Sequence, residues 1–316
     1  LQAKEKLVVI IGPTAVGKTA LSIHLAKKFG GEIISGDSMQ VYKGMDIGTA
    51  KITSEEMQDI PHHLIDIKEP DEAFSAAEFQ QLVRKTITDI TNRGALPIIV
   101  GGTGLYVQSV IYDYQFAEQG GDPLIRKELE EEAERIGKEA FYEKLKGIDP
   151  EAAASIHPNN VRRVVRALEV YYTTGEKMSR QQTEEPELLY DAVLIGLTME
   201  REQLYQRINK RVDIMMQNGL LEEVTGLWEK GIRSGQAVQA IGYKEIFSYL
   251  KGEASLEEAV EQLKQNSRNY AKRQLTWFRN KMPVNWFDLS NKEERMVKIQ
   301  QISDFIAGKL QLKENK

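Results

Sequence analysis

The sequence predicts an α/β protein, a parallel β-sheet with helices on both faces that carries a helical insertion. Three observations predict it. Strand-like and helix-like stretches alternate over residues 1–112, the order that builds a parallel sheet from successive strand–helix units. Strand character is almost absent from about 113 to 190 and returns at Ala192-Val193-Leu194-Ile195-Gly196-Leu197, so a helical segment interrupts the core. The apolar run Leu7-Val8-Val9-Ile10-Ile11 leads into a Gly-rich turn that opens a helix, the start of a doubly covered sheet.

In chain order, strands are predicted at 7–11, 32–35 and 97–100, with a helix from Lys18 to about Phe29, an apolar stretch at Leu64-Ile65 and a helix near 75–93. Gly120-Gly121-Asp122-Pro123, Gly147-Ile148-Asp149-Pro150 and His157-Pro158-Asn159 punctuate the next stretch as helix starts or breakers. From Leu256 to Phe278, Leu256, Val260, Leu263, Tyr270 and Phe278 recur at helical spacing, while Lys264, Arg268, Lys272 and Arg279 fall on another face. That cationic stripe is either a binding face or a plain solvated one. Val284-Asn285-Trp286-Phe287 reads as a last short strand before a polar terminal helix. The expected organisation is a catalytic core of 1–112 and 191–290, a helical insertion of 113–190 and a C-terminal helical tail of 291–316.

The turn after the first strand, Gly12-Pro13-Thr14-Ala15-Val16-Gly17-Lys18-Thr19, has the spacing of a phosphate-binding loop, which makes the expected fold P-loop NTPase-like. Backbone N–H groups from Gly12, Thr14, Ala15, Val16 and Gly17 would cradle two linked phosphates, Lys18 would add a compact positive charge, and the Thr19 hydroxyl would help to hold Mg²⁺. The helix that follows directs its positive dipole end at the same oxygens. A hydrolase of this type normally has a second strand ending in an acid that reaches the metal. Leu96-Pro97-Ile98-Ile99-Val100 ends instead in Gly101-Gly102-Thr103-Gly104, while an acid, Asp37, follows the strand after the loop helix. The loop therefore reads as a site for a polyphosphate that leaves, without the usual hydrolytic apparatus.

Composition narrows the class. The chain has 316 residues, 41% of them hydrophobic and 28% charged, which fits an ordinary globular protein with one large core or a core plus a smaller domain. No apolar run approaches the roughly 20 residues of a membrane span, and the first residues lead straight into a strand, so the expected location is the cytoplasm. With no cysteine, disulfides, thiol nucleophiles and Cys-type zinc sites are excluded. The four histidines, His24, His62, His63 and His157, have no metal-cage spacing; adjacent His62 and His63 point to opposite sides of an extended chain. The net charge of −5 argues against indiscriminate nucleic-acid binding, yet Arg162, Arg163, Arg166, Lys177 and Arg180 form a basic block against only Glu169 and Glu176. Nothing in the chain demands more than a monomer.

Several stretches then agree. The phosphate loop, Asp37-Ser38-Met39-Gln40-Val41-Tyr42 through Asp46-Ile47-Gly48-Thr49-Ala50-Lys51, Gly101-Gly102-Thr103-Gly104-Leu105-Tyr106, Arg166-Ala167-Leu168-Glu169-Val170, Gln239-Ala240-Ile241-Gly242-Tyr243-Lys244-Glu245 and Tyr270-Ala271-Lys272-Arg273-Gln274-Leu275-Thr276-Trp277-Phe278-Arg279 together resemble the tRNA dimethylallyltransferases, the bacterial tRNA isopentenyltransferase family. The resemblance implies transfer of a dimethylallyl group from dimethylallyl diphosphate to N6 of the adenosine 3′-adjacent to the anticodon of tRNA, with Mg²⁺ and release of diphosphate. It places Ser38, Met39 and Gln40 around the adenine, Thr103 on its amine, Lys244 and Arg273 on the diphosphate, and Arg126 with Arg162-Arg163-Val164-Val165-Arg166 on the RNA. A cysteine-free chain cannot carry the zinc finger of the eukaryotic relatives.

The residues support these roles physically. The exocyclic amine of adenine is a weak nucleophile, so an acceptor for its proton must stand close. Asp37 is the candidate base and, with an unperturbed pKa of about 3.9, would be ionised at neutral pH; its alternative use is a turn or cap. Thr103 taken alone reads equally as the cap of the following helix. Departing diphosphate would be stabilised by the loop, Lys18 and Mg²⁺. A stacked base must flip out to react. Other readings are an adenylate isopentenyltransferase acting on free AMP, a small-molecule kinase, and a nucleotide-switched RNA-binding protein without chemistry.

Overall fold

In a computed structural model, residues 3–114, 116, 122–181 and 187–313 are described. They form two compact units, residues 1–112 with 188–316 and residues 113–187. The predicted breaker Gly120-Gly121 lies outside the described residues.

The larger unit is built on six strands: β1 (Lys6–Ile11), β2 (Gly31–Gly36), β3 (His62–His63), β4 (Leu96–Gly101), β5 (Asp191–Thr198) and β6 (Asn285–Asp288). They lie in the order β3-β2-β4-β1-β5-β6, and every pairing is parallel. Successive side chains of β1 explain the layering. Leu7, Val9 and Ile11 enter one core with Ile34, Ile99 and Leu194, whereas Val8 and Ile10 enter the other with Ile33, Ile98 and Ile195. A strand that is apolar from Leu7 to Ile11 is thus buried on both faces, as a parallel sheet requires.

Helices cover both faces. α1 (Lys18–Phe29) starts at the loop and ends at left-handed Gly30. α2 (Ser54–Met57) is a single capped turn. α3 (Ala76–Asn92) buries Phe79, Val83, Ile87 and Ile90 at helical spacing and is capped by Ser75, whose side chain accepts from the Glu78 N–H. α4 (Gly104–Ile111) follows β4. The smaller unit holds α5 (Pro123–Ile136), α6 (Lys138–Ile148), α7 (Pro150–Ser155) and α8 (Val161–Thr174). Asp122, Asp149 and Asn160 cap three of them, and their own core includes Leu129, Phe141, Leu145 and Leu168. After β5 the larger unit adds α9 (Arg201–Gln217), α10 (Leu220–Glu229), α11 (Tyr243–Leu250), α12 (Leu256–Lys281) and α13 (Arg295–Leu310). Among the described residues no helix is long and apolar enough to cross a membrane.

The structure adds a strand at His62–His63, just before the apolar stretch Leu64-Ile65, where Leu64 and Asp66 adopt left-handed φ of 62° and 55° and end the extended run. The cationic stripe of α12 is partly neutralised: Lys264 pairs with Asp213 at 2.9 Å and Glu261 at 3.0 Å, and Arg268 donates to Asn209 at 2.6 Å. Half of it is therefore fastening α12 to its neighbours.

Candidate active site

β2, β4 and β1 are neighbours, so the turns after them lie side by side at the carboxyl edge of the sheet, where ligands of open α/β folds bind. These turns carry Asp37, Gly102-Thr103 and the phosphate loop. Within the loop, Ala15 and Gly17 both take left-handed φ, 64° and 110°. Such turns direct successive N–H groups into one concavity. For Ala15 this conformation costs roughly 1–2 kcal/mol, which the surrounding contacts must offset. Lys18 Nζ donates to Gly12 O and Pro13 O, each at 2.9 Å, so the ammonium is folded onto the loop.

A cavity of about 120 Å³ opens beside the loop. Thr14, Lys18, Thr19 and Arg211 line one side, Asp37, Tyr270 and Gln274 another, and Ile33, Ile52 and Ile65 supply apolar wall. A second cavity at the loop shares Lys18, Thr19 and Arg211 and adds Lys27, Arg207, Lys210 and Arg295 against Glu56. Burial and Arg211 lower the Lys18 pKa to about 8, against the raising effect of Asp37. Burial and the neighbouring Arg207 likewise depress Arg211, opposed by Glu56. Neither Lys18 nor Arg211 makes an ion pair among the described residues. Closely spaced cations of this kind await a polyanion.

The Asp37 carboxylate accepts from the Met39 N–H at 2.8 Å, the local turn expected of an Asp in this position. Enclosure raises its pKa above the ordinary value, against the Met39 and Gln40 N–H groups and Lys18. The carboxylate is thus tuned upward, a correction to the reading of an unperturbed Asp. Thr103 occupies the N-cap position of α4 without a side-chain cap bond. Its hydroxyl instead accepts from the Ser38 N–H at 3.3 Å, joining the β4 turn to the Asp37 turn. Met39 packs against the core. The Gln40 amide is consumed internally: Nε2 donates to Thr49 O at 3.3 Å and Ala50 O at 3.4 Å, while Oε1 accepts from the Ser35 hydroxyl at 2.9 Å.

Three site residues were not assigned from sequence. Arg211 of α9 donates to the Thr14 hydroxyl at 3.3 Å. Gln274 of α12 accepts from the Thr14 N–H and donates to Gly102 O, both at 3.0 Å, so one amide clamps the phosphate loop to the β4 turn. Tyr270, one turn earlier, lies near Asp37, and burial pushes its hydroxyl pKa up to about 12. Tyr270 and Gln274 lie inside a motif quoted for the resemblance; Arg211 lies outside every motif.

Lys244 stands beside Glu245 at 3.6 Å and lines neither cavity at the loop. Arg273 is exposed and lies over the Tyr270 ring at 5.7 Å, outside the loop cavities. In the smaller unit, Val164 and Val165 are 1% and 2% exposed and form part of its core, because helical periodicity turns them inward. Arg126 and Arg166 both bind one oxygen of fully buried Glu169, at 2.8 and 2.9 Å. Arg162 and Arg163 are exposed and make no ion pair among the described residues.

A family model described as IPP transferase matches residues 40–281. A tRNA dimethylallyltransferase of Geobacillus thermodenitrificans (strain NG80-2) is 62% identical over 312 residues, covering 98% of this chain and 99% of the relative. One of Bacillus cereus (strain Q1) is 64% identical over 313 residues, covering 99% and 98%. Among solved structures, the full-length tRNA isopentenylpyrophosphate transferase of Bacillus halodurans superposes with a TM-score of 0.75 at 57% identity, covering 98% of this chain and 97% of that one. A eukaryotic dimethylallyltransferase acting on tRNA superposes with a TM-score of 0.82 at 34% identity, covering 96% and 80%.

Proposed function

The chain belongs to the IPP transferase family, and from that premise we propose that it transfers a dimethylallyl group from dimethylallyl diphosphate to N6 of the adenosine 3′-adjacent to the anticodon of tRNA, in the cytoplasm. The observation that carries this reading is the pairing, in one cavity, of a phosphate loop rich in cations with a carboxylate tuned upward by enclosure.

The N6 lone pair attacks C1 of the allyl group, the C1–O bond breaks, the amine proton passes to the Asp37 carboxylate, and diphosphate leaves toward the loop. Loop N–H groups, Lys18 and Arg211 stabilise the charge that develops on the leaving oxygens. A raised pKa brings Asp37 nearer the operating pH, where a general base is most effective. Thr103, held to the Asp37 turn through Ser38, would orient the amine. Arg162 and Arg163, exposed and without an ion pair among the described residues, would meet RNA phosphates.

The donor set also fits Mg²⁺. Among the described residues no group of three or more His, Cys, Asp or Glu side chains is placed to cage a metal, and Mg²⁺ bound with phosphates typically takes only one or two protein oxygens beside waters. Thr19 would be the protein ligand. When bound, the ion would neutralise diphosphate charge.

Parallel incubations of the protein with Mg²⁺ and dimethylallyl diphosphate, offering an unmodified anticodon stem-loop, AMP or no acceptor, test this reading by mass spectrometry, with an ATP reaction alongside. A gain of one C5 group on the RNA alone is expected. Product on AMP, or phosphoryl transfer from ATP, would refute it.

A further inference from the structure

Two motifs singled out in the sequence, Asp46–Lys51 and Gln239–Glu245, have no place in the chemistry so far, and the structure joins them through one carboxylate. Glu223 of α10 accepts from the N–H groups of Asp46 and Ile47 at 2.8 Å each through Oε2. Through Oε1 it accepts from the Gly48 N–H at 3.0 Å and the Tyr243 hydroxyl at 2.6 Å. The Tyr243 ring fills the space a side chain at position 48 would need: a Cβ there would stand 2.5 Å from the ring, so only glycine fits. Four donors converging on one carboxylate hold the backbone of residues 46–48 against α10 and α11.

That backbone leads directly to the reaction centre. The carbonyls of Thr49 and Ala50 accept from Gln40 Nε2, Gln40 Oε1 accepts from the Ser35 hydroxyl, and Ser35 Oγ accepts from the Asp37 N–H at 3.4 Å. Thr49, Ala50, Gln40, Ser35 and Asp37 all line the cavity. The phosphate loop is held by different contacts, Gln274 and Arg211. The acceptor half and the leaving-group half of the site therefore have different anchors, linked to each other through the β4 turn.

Resting on the transferase reading above, we infer that Glu223 is a positioning residue for Asp37, acting through the 46–50 backbone, Gln40 and Ser35. A neutral amide at 223 keeps one accepting oxygen and turns a donor toward two of the four donors, so half of the anchor is lost. The test is a double-mutant cycle of Glu223→Gln and Gln40→Met, with kcat measured at saturating stem-loop RNA and dimethylallyl diphosphate and with inorganic pyrophosphate binding measured by calorimetry. Each single variant is expected to lose about 10-fold or more in kcat, while the pyrophosphate Kd stays within about 2-fold. The double variant should be no worse than the poorer single one, since both cut one chain. Unchanged kcat in Glu223→Gln, an equal loss of pyrophosphate binding, or losses that multiply in the double variant would each overturn the inference. Should Glu223→Gln fail to fold, Tyr243→Phe, which removes one donor of four, is expected to give a smaller kcat loss of the same kind; a loss confined to thermal stability would count against the role. Absence of C5 transfer by the unaltered protein would instead refute the transferase reading.

Discussion

Arginines concentrate in two regions, the crevice at the carboxyl edge of the sheet and the helical unit of residues 113–187, but they are held in opposite ways. In the crevice, Arg211 is turned onto the Thr14 hydroxyl and shares its surroundings with Lys18 and Arg207, leaving positive charge for a polyanion. In the helical unit, Arg126 and Arg166 share the buried Glu169 carboxylate, so two of its cations serve the packing of α5 on α8. The number of arginines in a segment therefore says little about available charge. What decides it is whether a carboxylate is buried beside them.

The largest expected effect lies in the crevice. Asp37→Asn should lower turnover by about 10²–10⁴-fold, the usual span of a general base, with stem-loop binding retained in a filter assay. The same variant should melt at a higher temperature near pH 7. Because the folded pKa of Asp37 is raised, folding favours its protonated form, and stability falls as pH rises from the unfolded pKa through the folded one. Above the folded pKa the ionised carboxylate carries the whole penalty, which Asn removes while still accepting from Met39 N–H.

Next, Arg211→Gln should raise the KM for dimethylallyl diphosphate about 10–100-fold, the range for a lost charged hydrogen bond, whereas Arg166→Ala should leave that KM unchanged. Conversely, Arg166→Ala should lower the melting temperature by a few degrees, as buried Glu169 loses one of its two partners. An unchanged melting temperature would break the contrast between the regions.

Smaller effects sharpen it. Arg163→Ala should reduce the salt slope of RNA binding by about one without altering melting, since its side chain is exposed and makes no ion pair among the described residues. On the crevice side, kcat/KM for dimethylallyl diphosphate should decline as pH rises through about 8, where Lys18 loses its proton. The sign follows from Lys18 binding diphosphate only as the ammonium. Lys18→Arg should remove that limb, because a guanidinium keeps its charge there.

Much of this contrast was legible in the sequence, unevenly. The apolar run of β1, the loop spacing and the capping residues before α5 and α7 are local signals, and each marked its element within a residue or two. The strand at His62–His63 was not legible, because a two-residue edge strand has too few side chains to announce itself. The crevice was half legible: its loop and Asp37 are contiguous motifs, but Arg211 and Gln274 arrive from helices some 200–260 residues away in sequence, and only the sheet order brings them to Thr14. For the valines of α8 the signal existed and pointed inward, since Val164, Val165 and Leu168 share one helical face with Phe141 and Leu145 in the small core. In the Gln239–Glu245 motif the sequence points to the cation Lys244, whereas the structure shows its neighbour Tyr243 bonded to Glu223.

The central claim is that the crevice couples departure of diphosphate on the loop side to N6 alkylation on the Asp37 side. It is tested most directly by counting inorganic diphosphate released against N6-dimethylallyladenosine formed in a digest of the reacted stem-loop. A ratio of one to one, with no diphosphate released when RNA is withheld, is the predicted result. Diphosphate released without alkylated adenosine would contradict the account, because the loop would then be serving water rather than the amine.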